Sequence, residues 1–257
     1  MKKALVISHE RSGTSFLINT IAVNFPHYLP EFVPGKSEGN NAQGVQRVDL
    51  DGQGWNFADP QQMCDFLFGS QFDDLPVRNI FKSHHPYEYF EPVLDEALEQ
   101  YCVFYICRDG RDVMKSFWRH IRKQGYMTGP TTFTLGQFIR SAPSGANSRY
   151  HGHCIPDNMV ERWDYHVVSW IESRKTGVCY VTYEELSDEF ETTVGYIGEY
   201  LEMDMPNHIT RPILGGVHPD KGVVGDWNNY FTESDEDFFF EYGSRAMRIL
   251  GYERCMV

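Results

Sequence analysis

Positive charge is scarce in this chain. Its 257 residues carry 23 Lys and Arg against 36 Asp and Glu, a net charge of −13. That balance excludes an extended nucleic-acid or anionic-membrane surface, although a few placed cations still hold an anion locally. Paired cysteines are missing too: Cys64, Cys102, Cys107, Cys154, Cys179 and Cys255 form no C-x-x-C and have no histidines at zinc spacing. Cys102, Cys107 and Cys179 sit in apolar runs and read as small buried hydrophobes of a reduced, intracellular protein. The N-terminus MKKALVISHERS holds a four-residue apolar run, too short for a signal h-region or a membrane anchor. The expectation is a cytoplasmic chain with no metal, no nucleic-acid partner and no membrane partner. At 41% hydrophobic residues without a low-complexity tract, the chain has enough apolar material for a sizeable core.

One more absence concerns the turn from Ser8 to Ser15. A Walker A loop needs G-x-x-x-x-G-K-[ST], but Thr14 follows Gly13 and no glycine stands five residues before it. ATP and GTP sites of the usual kind are therefore disfavoured. What is present still suits an anion. Ala4 to Ile7 is a short apolar strand, and from Ser15 the residues Phe16, Leu17, Ile21 and Ala22 recur at helical spacing. A strand feeding a turn into a helix aims backbone N–H groups and the helix dipole at one point. Arg11 adds a fixed cation, and Ser12, Thr14 and Ser15 add hydroxyls. Taken alone, the pattern fits an anion-binding loop or an ordinary tight turn with a helix cap.

Further along, strand and helix patterns alternate. Strands are expected at Asn79 to Lys82, Cys102 to Cys107 and Val178 to Thr182. Helices are expected at Glu91 to Gln100, Arg111 to Lys123, Phe133 to Arg140, Met159 to Arg174, Phe190 to Leu201 and Asp235 to Leu250. Residues 26–62 read as a long loop region with one short helix near Pro60 to Phe68, and 141–158 as another loop. The alternation predicts an α/β fold: one domain over residues 1–257, with a central parallel sheet flanked by helices. In such sheets ligands lie beyond the carboxyl ends of strands. Polar clusters fall at three such ends: Arg11 to Ser15, Lys82 to His84, and Arg108 onward.

These segments, together with the Gly-rich GGVHPDKGVVGDW, resemble the cytosolic-type sulfotransferases that use 3′-phosphoadenosine 5′-phosphosulfate (PAPS). SHERSGTSF, Ser8 to Phe16, is similar to the family's 5′-phosphosulfate loop. IFKSHHP, Ile80 to Pro86, resembles its K-T-H-x-P segment. YICRDGRDVMKSF, Tyr105 to Phe117, resembles its 3′-phosphate motif. VTYEEL, Val181 to Leu186, matches a strand end whose tyrosine approaches adenine, and KGVVGDWNNYFT, Lys221 to Thr232, is similar to its C-terminal segment. The matches keep family order and span nearly the whole chain.

The resemblance implies a P-loop-NTPase-like sulfotransferase fold, PAPS as co-substrate, PAP as product, and no metal. Arg11, Ser12, Gly13, Thr14 and Ser15 would hold the 5′-phosphosulfate. Arg108 and Ser116 would converge on the 3′-phosphate, with a simple Arg108–Asp112 pair as the structural alternative. Tyr183, Lys221 and Gly222 complete the expected cofactor contacts. His84 is the expected general base toward a small-molecule hydroxyl, or an amine as second choice. Lys82 and Arg11 would stabilise charge on the leaving group, and His166 is assigned to packing.

The chain also departs from the family. Asp220 stands where an arginine is usual and would repel a phosphate, leaving Arg211 or Lys221 to supply charge. Gly110 replaces a proline at little cost. Asn228 and Glu233 replace a lysine and a valine of the family's dimerisation motif, so the oligomeric state stays open. Phe16, Trp55, Phe57, Tyr87, Tyr89, Tyr126 and Trp163 lie near the segments expected to line an aromatic acceptor pocket, although most of them are expected to be core. Two other functions remain at this stage: a non-catalytic PAP- or nucleotide-binding protein, and a kinase with an atypical P-loop.

Overall fold

The computed structural model describes residues 2–28, 48–50, 65, 67–69, 80–124, 129–145, 155–212 and 222–252. Among these the strands are β1 (Lys3–Ile7), β2 (Val48–Asp49), β3 (Ile80–Ser83), β4 (Tyr101–Cys107) and β5 (Val178–Thr182). They form one parallel sheet in the order β2–β3–β1–β4–β5. The helices are α1 (Thr14–Asn24), α2 (Leu94–Gln100), α3 (Gly110–Gln124), α4 (Leu135–Arg140), α5 (Met159–Ser173), α6 (Tyr183–Asp188), α7 (Phe190–Tyr200) and α8 (Glu233–Ile249).

Strand alternation sorts the apolar residues onto two faces. Ala4 and Val6 of β1, Phe104 and Ile106 of β4 and Val181 of β5 pack with Leu17 and Ile21 of α1 and Ile197 of α7. Leu5, Ile7, Val103 and Tyr105 point the other way, with Leu94 of α2 and Trp170 of α5. Both faces are covered, which is why β4 (YCVFYIC) is buried along its full length and shows no polar alternation. A helical layer built on Phe117, Phe138, Trp163 and Phe239 joins α3, α4, α5 and α8.

The strand order fixes the position of the site. β3 and β4 flank β1 on opposite sides, so the chain leaves β1 at the point where the order reverses. Open α/β sheets bind ligands at such a point, beyond the strand ends.

Most expected elements appear within a few residues of their anticipated bounds. The helix expected from Glu91 begins at Leu94, after a 3-10 turn at Tyr87–Tyr89. Among the described strands and α-helices, two went unanticipated. One is β2, inside the expected loop region 26–62. The other is α6, whose capping box pairs Thr182 with Glu185; T-x-x-E is its sequence signature. Most of residues 26–62, half of 141–158, and most of the helix expected near Pro60 to Phe68 lie outside the described residues.

Candidate active site

The turn after β1 is shaped by two left-handed residues, Arg11 at φ 68° and Gly13 at φ 104°. Gly13 is the N-cap of α1, and its carbonyl accepts from the N–H groups of Phe16 (2.8 Å) and Leu17 (3.0 Å). The N–H groups of Gly13 and Thr14 belong to the set a helix cannot satisfy internally. A Cβ on Gly13 would fall 2.5 Å from Tyr183 Cδ2 and 3.2 Å from Ile106 Cδ1. Gly13→Ala should therefore cost at least about 1 kcal/mol, from the positive φ alone. A lowered urea midpoint checks this; an unchanged midpoint would mean that the turn relaxes freely.

Inside the turn, Ser8 Oγ lies 2.6 Å from Thr14 Oγ1. Ser12 is fully buried, and its Oγ has no hydrogen-bond partner among the described residues. Ser15 is exposed at the first turn of α1. Arg11 reaches the helix that follows the neighbouring strand, where its Nε donates to Ser116 Oγ of α3 at 3.2 Å. The turn after β1 and the helix after β4 are thereby joined.

Beside this turn stands His84, one residue past β3 and buried. Its Nδ1 is 2.7 Å from the Ser8 carbonyl oxygen and 3.3 Å from Ser8 Oγ. A carbonyl only accepts, so Nδ1 carries the proton. In the neutral ring Nε2 then holds the lone pair, the protonation pattern of a general base. The His84 carbonyl accepts in turn from His166 Nε2 (3.2 Å), and Tyr105 donates its hydroxyl to His166 Nδ1 (3.1 Å). Burial first, then His9, holds the His166 ring well below the usual histidine pKa. Lys82 is buried on β3. His85 is buried as well, near Ser83 Oγ (2.8 Å) and against Tyr89, and its carbonyl accepts from Trp170 Nε1. That is a packing position, as alternation along the strand predicts.

The third strand end carries Arg108. Its Nη2 donates to Asp112 Oδ2 (3.2 Å) and to the Val223 carbonyl (3.0 Å), and its guanidinium stacks 4.2 Å from the Tyr183 ring centre. The Arg108–Asp112 alternative is thus realised. Arg108 Nε, however, is buried and without a hydrogen-bond partner among the described residues. A buried donor left unmade costs about 1–3 kcal/mol, so this arrangement, like that of Ser12, is suited to an added acceptor.

Asp112 also accepts from the N–H groups of Gly225 (2.8 Å) and Trp227 (2.9 Å), and Tyr183 donates to the Gly222 carbonyl (2.7 Å). Burial raises the Asp112 carboxyl despite Arg108 and these two N–H groups. Residues 222–227 are fastened over the Arg108–Tyr183 stack. Lys221 and Asp220 lie outside the described residues. Arg211 donates to the Ser187 carbonyl and stacks on Phe190.

Two of the aromatics near the expected acceptor pocket, Phe16 and Trp163, belong to the core, 4% and 0% exposed, because α1 and α5 turn those faces inward. Tyr87 and Tyr89 stay half-buried near His85 and Trp170. Trp55, Phe57 and Tyr126 fall outside the described residues.

A family profile described as a sulfotransferase domain matches residues 1–215. The chain belongs to the sulfotransferase family. Human sulfotransferase 2B1 is 22% identical over 272 aligned residues, covering 95% of this chain and 65% of the relative. Mouse sulfotransferase 1A1 is 24% identical, over 72% of this chain and 68% of its own length. The fold matches mouse sulfotransferase SULT7A1 complexed with PAP at a TM-score of 0.59, with 19% identity, over 96% of this chain and 84% of that one. It matches retinol dehydratase in a complex with retinol and PAP at 0.58, with 15% identity, over 96% and 82%. Among the described residues of this chain, no helix is long and apolar enough to cross a membrane. No group of three or more metal-binding side chains occurs among them.

Sequence reasoning missed one part of the site. Glu10 and Arg162 form a bidentate ion pair beside His9, and a separation of 152 positions leaves no spacing signal. The Asp112 clamp was legible only as an i,i+4 partner of Arg108.

Proposed function

We propose that this sulfotransferase moves a sulfuryl group from PAPS to a hydroxyl of a small-molecule acceptor, with an amine as the second choice. The observation that carries this reading is the 2.7 Å contact between His84 Nδ1 and the Ser8 carbonyl. It leaves the lone pair on Nε2, at the end of a strand next to the anion-binding turn. PAP in the sites of structural neighbours supports the same donor.

PAPS supplies a sulfuryl group on a phosphate leaving group. Ser12, Thr14 and the N–H groups of the 12–15 turn bind its 5′ end. Arg108 and Ser116 bind the 3′-phosphate, and the orphaned Arg108 Nε and Ser12 Oγ fit such an acceptor. Tyr183, Gly222 and Lys221 complete the nucleotide contacts. Sulfuryl transfer resembles phosphoryl transfer, where positioning and charge stabilisation dominate. His84 Nε2 takes the acceptor proton, while Lys82 and Arg11 offset charge gathering on the leaving phosphate. Retinol and androsterone in the retinol dehydratase structures make apolar alcohols, together with phenols, the first acceptors to try. The place of action is the cytoplasm.

The test is transfer of labelled sulfate from PAPS to a panel of phenols and alcohols. A labelled sulfate ester is the expected product. PAP binding with no transfer to any panel member would favour a non-catalytic nucleotide-binding protein.

A further inference from the structure

Residues 8–11 connect the two ends of the reaction, since the Ser8 carbonyl holds His84 and Arg11 holds Ser116. Between them lies a buried polar cluster. His9 is fully buried; its Nδ1–H donates to the Glu10 carbonyl (2.9 Å), and its Nε2 accepts from Arg162 Nη1 (2.7 Å). Arg162 Nη1 and Nη2 also donate to the two Glu10 carboxylate oxygens, at 2.9 and 2.7 Å. The Arg162 and Glu10 side chains are only 2% and 13% exposed. His166, one turn further along α5, lies with its ring 5.5 Å from His9 and donates to the His84 carbonyl. One helix therefore grips both the turn and the strand end. Burial, partly countered by Glu10, brings His9 down to a pKa of about 3, so it is a neutral spacer in this cluster.

We propose that Glu10 and Arg162 are positioning residues whose bidentate pair locks the 8–11 turn against α5 and so sets His84 and Arg11 relative to each other. The inference rests on His84 being the base. Stability alone does not call for such a pair, because apolar residues of similar volume usually serve a core at least as well. What an ion pair adds is a fixed geometry, and the strained Arg11 backbone at φ 68° needs neighbours that hold it.

The groups on the elements around His84 are Lys82 and His85 on its own segment, His9, Glu10 and Arg11 on the turn, Tyr105 on β4, and Arg162 and His166 on α5. Glu10 and Arg162 carry opposite charges at the turn that holds His84. Glu10→Gln should lower the His84 pKa, and Arg162→Met should raise it. Both can be read from the histidine ring resonances of the full chain, assigned by their loss in His84→Asn. The double variant Glu10→Gln/Arg162→Met should return the pKa close to the wild-type value.

Rate should not return with it. Loss of the fork misplaces the turn, and kcat for sulfuryl transfer should stay about 100-fold low in the double variant. Arg162→Lys keeps the charge and loses the fork, so it should keep the pKa and lose rate. If the single variants fail to fold, the double variant and Arg162→Lys carry the test. Wild-type kcat and an unchanged His84 Nδ1–H resonance in either folded variant would overturn the proposal. Wild-type protein that neither binds PAP nor transfers sulfate would instead sink the parent reading, and the Nδ1–H resonance would still decide whether the pair holds His84.

Discussion

His84→Ala should lower sulfuryl transfer by about 100- to 10,000-fold, the span expected for losing a general base. PAP affinity should stay within about threefold of wild type, under 1 kcal/mol. The ring meets the turn at Ser8, through its carbonyl and its Oγ, so removing it would take away the proposed proton acceptor and leave the phosphate contacts. His84→Asn refines the test: its side-chain amide can still donate to the Ser8 carbonyl but cannot take a proton at neutral pH. Loss of turnover in both variants with retained PAP binding identifies the base. Turnover that survives in His84→Asn would remove His84 from the chemistry and leave it as a structural contact.

The second large effect belongs to Arg108. Replacing Arg108 by Gln should weaken PAP binding by about 30- to 5,000-fold, corresponding to the 2–5 kcal/mol lost when one partner of a buried charge pair is truncated. Adenosine 5′-phosphosulfate has no 3′-phosphate and provides the control, because its affinity should hardly change. The comparison isolates the 3′ contact from general damage, since Asp112 keeps its bonds from Gly225 and Trp227 when Arg108 is shortened. Equal losses for the two nucleotides would mean that Arg108 chiefly fastens the C-terminal segment through Val223 and Asp112.

Much of this was legible in the sequence, for physical reasons that differ by element. β4 announces itself because a strand covered on both faces has to be apolar throughout. The strand-end clusters were legible because a parallel sheet gathers the C-terminal ends of its strands, and His84 and Arg108 occupy those ends. Alternation also predicted that His85 would pack rather than react, although β3 stops at Ser83. Other features depend on distance in sequence. Arg162 reads as one charged residue on an amphipathic helix, and nothing near Glu10 points to it across 152 positions. The short β2 gave no periodicity because two residues cannot show one. Phe16 and Trp163 could be sorted into the core only by the structure, because aromatic content near a site does not say which face a helix turns inward.

Calorimetric titration of the full chain with PAP, followed by ATP with magnesium, tests the central claim most directly. Micromolar PAP affinity, about −8 kcal/mol, without comparable ATP binding is the predicted result. Binding of ATP but not PAP would contradict it and make the turn after β1 an atypical kinase loop.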